Sequence, residues 1–182
     1  MGTMIITLGT HTITYPEMDV SPGLTLVVGP SGAGKTTLLR ALHATLEGSI
    51  DGPLPLESDQ TSLMPQQHSW VPYFTLSEHM KLTPEVSEQA LDQLGLTGLE
   101  DKFPHQLSVG QLQRFSLLIS LSVPAELYLL DEPSSALDTD LAERSFRYLE
   151  QHIQAHPNSY YVAVTHDDRM MRAFSSAKTI EL

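Results

Sequence analysis

The stretch Gly29-Pro30-Ser31-Gly32-Ala33-Gly34-Lys35-Thr36 decides the fold of this 182-residue chain. It matches the phosphate-binding pattern G-x-x-x-x-G-K-[ST] at every position. An apolar run at residues 24–28 precedes the stretch, and a segment that favours a helix follows it at residues 37–42. A strand, a glycine-rich loop and a helix in this order predict an α/β fold.

The residue types of this loop suit the binding of phosphate groups. Glycines let the backbone wrap closely around an anion, and successive N–H groups at a helix N-terminus supply positive potential. Lys35 adds a charge for the β- and γ-phosphates of a nucleotide, and the Thr36 hydroxyl can ligate Mg²⁺. The competing interpretation is an accidental glycine-rich turn, which the strand before the loop and the helix after it disfavour.

Two adjacent acids, Asp131 and Glu132, follow a wholly apolar run at residues 127–130. Such a run is typical of a strand buried on both faces of a parallel sheet, and ligands bind beyond the carboxyl ends of these strands. We therefore expect Asp131 to hold Mg²⁺ through water and Glu132 to polarise an attacking water molecule. Alternatively, the two acids only cap the loop before the next helix.

The remaining pattern predicts one α/β core that a helical insertion interrupts. Further strands and helices are predicted at residues 4–8, 12–15, 108–122, 139–155 and 160–164. Turns around one or two short strands are expected at residues 48–62, and mostly helical structure, with turns at Gly95 and Gly98, at residues 75–103. The core then comprises residues 1–66 and 123–182, and the insertion residues 67–122, within a single domain of residues 1–182.

Further motifs give the chain a family resemblance. They are Leu107-Ser108-Val109-Gly110-Gln111, Leu130-Asp131-Glu132-Pro133, Ser135-Ala136-Leu137-Asp138 and Val164-Thr165-His166-Asp167. Together with the glycine-rich loop, and in this order, they resemble the nucleotide-binding subunit of ATP-binding-cassette (ABC) ATPases over almost the whole chain. The resemblance implies a P-loop NTPase core of the ABC type with an inserted helical subdomain that carries the signature motif.

The resemblance also implies a role for each matching residue. ATP would be bound by the loop residues Gly29, Pro30, Ser31, Gly32, Ala33, Gly34, Lys35, Thr36 and Thr37. Glu132 matches the catalytic glutamate, and His166 matches the histidine that reaches the γ-phosphate. Gln66, chosen over Gln67, matches the glutamine that contacts both Mg²⁺ and the lytic water. Mg²⁺ would therefore be held by Thr36, Gln66 and Asp131.

Ser108, Gly110 and Gln111 belong to the family's signature, which implies contact with the γ-phosphate bound by a second subunit. Independently, Ser108 and Gln111 have the spacing of a capping box, which predicts a helix that begins here with its positive end exposed. Val109 departs from the family pattern, because a glycine usually stands at that position. The alternative role of Ser108 is that of a simple cap, and the two roles are compatible.

As a whole, the resemblance predicts an ATPase subunit of a transporter that dimerises head to tail on ATP and drives a separate membrane permease. We expect it in the cytoplasm, peripheral on the inner face of the membrane through that permease. The alternatives are a soluble ABC-type mechanoenzyme and, less favoured, a P-loop kinase outside the ABC family. Neither a long coiled-coil insertion nor a second cassette, which soluble ABC ATPases usually carry, is found in the sequence.

Composition restricts the partners. Acidic residues outnumber basic ones by 22 to 10, for a net charge of −12, which disfavours nucleic acid and anionic lipid as general ligands. The absence of cysteine excludes disulfides and thiolate metal sites. The N-terminal residues do not resemble a signal peptide, and the apolar runs are too short to cross a membrane, so no direct membrane insertion is expected.

Three aromatic features leave alternatives open. Tyr15 is interpreted as a strand residue, which leaves no aromatic residue clearly in place to stack on adenine. His152 and His156 have a helical i, i+4 spacing, but we interpret them as a solvated helix face, because no acidic third ligand is evident. The cluster at residues 70–74, which contains the only tryptophan, Trp70, is equally compatible with the core and with an exposed contact for a partner.

Overall fold

A parallel sheet of five strands lies at the centre of the computed structural model, which describes residues 3–44, 48–52, 59–67, 69–83 and 86–182. From one edge to the other, its strands are β5 (Thr61–Met64), β6 (Leu127–Asp131), β7 (Tyr160–Val164), β3 (Gly23–Val28) and β8 (Lys178–Glu181). Each of these pairings is parallel, which confirms the α/β class.

A second, antiparallel sheet is formed by the N-terminal hairpin and one short strand. Its order is β2 (His11–Tyr15), β1 (Met4–Leu8) and β4 (Ser49–Asp51). β1 has the predicted bounds, and β2 begins one residue earlier than predicted. The predicted turns around short strands at residues 48–62 correspond to β4 and the start of β5, while residues 53–58 lie outside the described residues.

The helices connect these strands. They are α1 (Lys35–Leu42), α2 (Leu76–Met80), α3 (Glu88–Gln93), α4 (Val109–Ser122), α5 (Thr139–Ala155) and α6 (Asp168–Ala173), with a 3₁₀ turn at Pro104–Gln106. In the part of the chain that the structure describes, no helix combines the length and the hydrophobicity that a membrane crossing requires.

The apolar strand β6 is buried along its whole length because both faces of the sheet are covered. Leu127 and Leu129 belong to one cluster with α1 and the antiparallel sheet. Tyr128 and Leu130 point to the opposite face and belong to a second cluster with α4 and α5. Alternate residues of a strand point to opposite faces, so residues 127–130 of β6 have an apolar environment on both sides of the sheet.

The segment at residues 75–103 contains less α-helix, among its described residues, than the sequence predicts. Its helices there are α2 and α3. The predicted turns at Gly95 and Gly98 are confirmed, with φ of 61° and 83°, a left-handed conformation that glycine adopts without steric cost. Phe115 and Leu118 of α4 share an apolar cluster with Leu130 of the sheet, and the extent of a separate helical subdomain stays a prediction.

Candidate functional site

The glycine-rich loop joins the end of β3 to the start of α1. Gly29, Gly32 and Gly34 have φ values of 155°, 85° and 90°. A Cβ on Gly34 would lie 2.6 Å from the Tyr15 hydroxyl, so only glycine fits at this position. Helix α1 begins without a side-chain cap and without an acidic residue in its first turn. Its N-terminal N–H groups therefore remain available to an anion.

The ammonium group of Lys35 lies over this loop. Its Nζ atom donates hydrogen bonds of 2.9 Å to the carbonyl oxygens of Gly29 and Pro30, and the residue is only 9% exposed. The positive charge is therefore held in place beside the free N–H groups of the loop. This arrangement provides a preorganised site for a phosphate chain.

The two acids are buried at the end of β6. Asp131 pairs with Val164 of the neighbouring strand, and the Glu132 N–H donates to the Val164 carbonyl oxygen at 2.9 Å. Burial raises the pKa of Asp131, and the charge of Glu132 raises it further, while the Thr36 hydroxyl and nearby cations oppose the rise. Among the described residues, Asp131 Oδ1 and Glu132 Oε2 are buried without a hydrogen-bond partner. Such oxygens are suited to a cation or an ordered water.

Glu132 contacts His166, which follows β7. The Nδ1 atom of His166 lies 2.6 Å from Glu132 Oε1, and the histidine side chain is 68% exposed while that of the glutamate is 6% exposed. Glu132 has φ of 53°, which is unusual for a residue other than glycine. Residues held in this region cluster at functional sites, where the surrounding structure over-determines them.

A pocket of about 580 Å³ joins the loop, the acids and the histidine. Its predicted members are Gly29, Pro30, Ser31, Gly32, Gly34, Lys35, Thr36, Thr37, Gln66, Asp131, Glu132 and His166. Ala33 is not part of its lining, and its N–H is bonded to the Pro30 carbonyl oxygen. Gln67 lines only an adjoining cavity, together with Thr36, Gln66 and Asp131. These sequence-predicted groups therefore converge at one edge of the sheet.

The signature residues lie outside this pocket. Ser108 Oγ accepts a hydrogen bond from the Gln111 N–H at 3.1 Å, and Gln111 Oε1 accepts one from the Ser108 N–H at 2.8 Å, which confirms the predicted capping box. Ser108 and Val109 are exposed. A Cβ on Gly110 would lie 3.0 Å from the Ala136 carbonyl oxygen, so this glycine lets α4 approach the chain after β6 closely.

Tyr15 is fully buried beneath the glycine-rich loop. Its hydroxyl donates to the Gly34 carbonyl oxygen at 2.7 Å, and burial raises its pKa to about 12. This confirms Tyr15 as a strand residue that cannot face the pocket. Ile13 instead lines the pocket, and no motif of the sequence indicates it. The available signal is the alternation of β2, which places Ile13 on the same inward face as Tyr15, where both side chains lie against Gly34 of the loop.

The prediction of a solvated helix face at His152 and His156 is partly wrong. His156 is exposed as predicted, but His152 is half-buried, with Nδ1 at 2.8 Å from the Tyr161 hydroxyl. Burial lowers the pKa of His152 to about 4, so this residue belongs to an apolar environment and not to a solvated face. Among the residues described, no cluster of three metal-ligating side chains is found.

The aromatic segment at residues 70–74 contains both core residues and exposed residues, so each of the two interpretations holds for part of it. The Trp70 ring contacts Phe115 and His79, with ring centroids at 5.0 and 5.3 Å, and belongs to the core. Tyr73 is 85% exposed and Val71 is 42% exposed. Leu82 of the same region is 67% exposed. We call Val71, Tyr73 and Leu82 the exposed apolar patch.

Asp167 connects the segment after His166 to the segment after Glu132. Ser134 Oγ donates to its carboxylate at 2.6 Å, and Arg169 donates to the same carboxylate from Nε and Nη2. Arg169 also donates to the Leu137 carbonyl oxygen at 3.0 Å. Burial alone would raise the pKa of Asp167, but these hydrogen bonds outweigh it and lower the pKa to about 2.

This lowered pKa predicts how stability depends on pH. Because the Asp167 pKa falls from 3.8 to about 2 on folding, its ionised form stabilises the fold by roughly 2 kcal/mol above pH 4. That contribution is lost as the pH falls through about 2. Replacing Asp167 with asparagine should therefore lower the urea midpoint at pH 7, and the difference from the unmodified chain should shrink towards pH 2.

The matched control is Asp168→Asn, because Asp168 is the exposed neighbouring residue on the same segment. It should leave the urea midpoint unchanged at both pH values. A constant difference between Asp167→Asn and the unmodified chain from pH 7 to pH 2 would contradict the assignment of the lowered pKa to folding.

Comparison with known proteins places this arrangement among related sequences. The model of a family described as ABC transporter matches residues 16–135. Over 162 residues, the chain is 37% identical to the aliphatic sulfonates import ATP-binding protein SsuB 3 of Paraburkholderia xenovorans (strain LB400), covering 83% of this chain and 63% of that protein. Over 186 residues, it is 31% identical to the glycine betaine/carnitine/choline transport ATP-binding protein OpuCA of Bacillus subtilis (strain 168), covering 87% and 48%. The chain thus spans about half to two thirds of the length of these relatives.

A solved structure shows the same fold in a different setting. The archaeal ribosome recycling factor aABCE1, solved in complex with the ribosomal stalk protein aP1, superimposes with a TM-score of 0.83 at 26% identity. The alignment covers 94% of this chain and 34% of that chain. Proteins of transport systems and a protein of the ribosome cycle are therefore both similar to this chain.

Proposed function

Because the chain belongs to the ABC transporter family, we propose that it binds and hydrolyses ATP and couples this reaction to transport through a separate membrane permease. The observation that carries the proposal is the single pocket in which the glycine-rich loop, Gln66, the two acids and His166 converge. This is the set of groups that phosphoryl transfer to water requires, namely phosphate binding, a cation site and a base.

The triphosphate would lie along the loop, with its β- and γ-phosphates beside Lys35 Nζ and the free N–H groups of α1. The two carbonyl oxygens that hold Lys35 keep its charge at the loop before ATP arrives. Preorganised charge of this kind stabilises the transition state without a cost of rearrangement. The adenine ring of ATP would contact Ile13, since this aliphatic side chain lines the pocket and Tyr15 does not.

The residues present fit Mg²⁺. Thr36, Gln66 and Asp131 line two adjoining cavities together, and the oxygen ligands that a hydroxyl, an amide and a carboxylate offer suit this ion. Asp131 Oδ1 is buried without a hydrogen-bond partner among the described residues, as a ligand to a cation or its water would be. When bound, Mg²⁺ would neutralise charge on the β- and γ-phosphates.

Glu132 would act as the general base. Its carboxylate accepts a proton from the water molecule that attacks the γ-phosphorus, and the bond to the bridging oxygen breaks to leave ADP and inorganic phosphate. The short contact to Glu132 Oε1 orients the carboxylate, while the buried Oε2, which has no hydrogen-bond partner among the described residues, would accept the bond from the water. His166 is exposed enough to turn towards the γ-phosphate once that group is bound.

A second copy of the chain would complete each site, in an ATP-dependent head-to-tail dimer. Ser108, Gly110 and Gln111 stand at the exposed start of α4 but do not line the pocket of their own chain. The capping box pairs the N–H groups of Ser108 and Gln111, and the positive end of the helix still attracts an anion. These residues are therefore available to the γ-phosphate held by the partner chain.

The exposed apolar patch would contact the permease. Val71, Tyr73 and Leu82 lie at the surface beside the segment that follows Gln66, and exposed aromatic residues concentrate in interfaces. Binding at this patch would place the chain on the inner face of the membrane. The relatives reported above are named for transport systems with different cargoes, so the family relationship supports transport without indicating the cargo.

The alternative function is that of a soluble mechanoenzyme, and the structural similarity to a ribosome recycling factor favours it. In that case the same ATP-dependent dimer would act on a soluble assembly instead of a permease. The two functions share the ATPase site and differ in what the exposed apolar patch contacts.

A pull-down distinguishes the two functions. Tagged chain carrying Glu132→Gln is recovered from detergent-solubilised native cells with and without MgATP, beside a matched chain that also carries Tyr73→Ala. Recovery of a polytopic membrane protein that depends on Tyr73 is the expected result. Recovery of soluble partners alone, or of a homodimer alone, would replace transport with the soluble function and leave the ATPase chemistry intact.

A further inference from the structure

The side chain of Gln113 connects α4 to the segment that follows β6. It is 3% exposed, and both ends of its amide are hydrogen-bonded. Nε2 donates to the Glu132 carbonyl oxygen at 2.6 Å and to Ser135 Oγ at 3.1 Å, and Oε1 accepts from the Ala136 N–H at 2.8 Å. The three partners lie within five residues of one another, so Gln113 holds one short stretch of backbone at three points.

That stretch contains a backbone conformation that needs support. Glu132 has φ of 53°, which a residue with a Cβ atom adopts at a conformational cost. Its N–H is fixed to the Val164 carbonyl oxygen by a hydrogen bond of 2.9 Å. Its carbonyl oxygen is fixed by Gln113, with weaker contacts from the Ser135 N–H at 3.3 Å and Ser135 Oγ at 3.2 Å.

The conformation of Glu132 decides where its carboxylate lies. In the left-handed conformation, Oε1 reaches His166 Nδ1 at 2.6 Å and the side chain lines the pocket. Rotation of the backbone into a right-handed conformation would change the direction of the Cα–Cβ bond and withdraw the carboxylate from this position. The carbonyl oxygen cannot rotate while Gln113 holds it.

We propose that Gln113 is a positioning residue for ATP hydrolysis, because its amide holds the backbone of Glu132 in the left-handed conformation that directs the carboxylate into the pocket. The proposal rests on the proposed function, in which Glu132 is the base. Gln113 touches neither the glycine-rich loop nor any other group proposed to bind the triphosphate. Its contribution therefore belongs to the chemical step and not to the binding of ATP.

The first test separates turnover from binding in the full chain. Gln113→Met keeps the length of the side chain but removes its donor and acceptor. We expect kcat to fall by about 30-fold, since small displacements of a reacting group cost one to two orders of magnitude, with the Kd of MgATP unchanged. Gln93→Met is the matched control, because Gln93 bonds to Gln151 at the surface, and its kcat should remain unchanged.

Hydrogen exchange provides a readout that does not depend on turnover. In Gln113→Met, the amides of residues 135 and 136 should exchange faster, because Ala136 loses its acceptor, while amides of α1 keep their rates. General loosening of the fold would instead accelerate exchange along all of α4 and α1. Unchanged exchange at residues 135 and 136, or an unchanged kcat, would overturn the proposal.

Ser135→Ala extends the test to a variant that is expected to fold normally, because Ser135 is exposed. It removes a hydroxyl that contacts both Gln113 and the Glu132 carbonyl oxygen, so we expect kcat to fall by about 3-fold at an unchanged Kd. A normal kcat in this variant would count against the proposal. If the unmodified chain itself does not hydrolyse ATP, the proposed function fails, whereas the exchange measurement still tests the backbone support.

Discussion

Lys35→Ala is expected to raise the Kd of MgATP by at least about 30-fold. The ammonium group is held over the loop by two carbonyl oxygens at 2.9 Å, and the residue is 9% exposed, so its charge acts on the phosphates with little screening. Removing one partner of a buried charged pair costs about 2–5 kcal/mol, and 1.4 kcal/mol corresponds to a tenfold change. Isothermal titration with MgATP measures the change directly.

Lys102→Ala is the matched control, since Lys102 is exposed and lies away from the pocket. Its Kd should equal that of the unmodified chain. The circular dichroism spectrum of Lys35→Ala should also be unchanged, because the substitution removes no backbone hydrogen bond of a helix or strand. An unchanged Kd in a folded Lys35→Ala chain would remove the loop from the proposed phosphate site.

Glu132→Gln is expected to lower kcat by about 10²–10⁴-fold, the usual contribution of a general base, while MgATP still binds. Glutamine has nearly the same shape as glutamate but accepts a proton poorly. The Lys35 contacts are not altered, so the Kd should stay within about twofold of its original value. Because ATP would then persist at the site, size-exclusion chromatography with MgATP should show an accumulated dimer.

Glu143→Gln is the control for this second substitution, since Glu143 is exposed on α5. Its turnover and its elution volume should match those of the unmodified chain. Near-normal turnover in Glu132→Gln would eliminate the proposed base, and the assignment would have to move to another group of the pocket. Loss of binding together with turnover would instead indicate damage to the site as a whole.

The sequence predicts the centre of the fold well because its strands are buried on both faces. β7 and α5 have the predicted bounds, and β6 extends the predicted run by one residue, Asp131. Strands such as β6 and β7, which are buried on both faces, are apolar throughout, so the sequence pattern predicts them clearly. β8 was missed, since at the edge of the sheet it contains polar, mostly exposed residues. The short helix α6 was missed as well, because its six residues bury only Met170.

The position of the site can be predicted because its residues follow neighbouring parallel strands. β3, β6 and β7 are neighbouring parallel strands, so their carboxyl ends bring the loop, the acids and His166 to one edge. The sequence does not predict the side-chain hydrogen bonds that hold the backbone of these groups in place. The Tyr15 bond to Gly34 spans 19 residues, as does the Gln113 bond to Glu132, and neither follows from a local pattern.

The left-handed conformation of Glu132 has a consequence for protein engineering. Glycine adopts this conformation without strain, so a screen for thermal stability should favour Glu132→Gly. The same substitution deletes the proposed base. Selection for stability and selection for turnover thus favour different residues at position 132. A stabilised variant that is chosen without an activity assay is expected to lack the proposed general base.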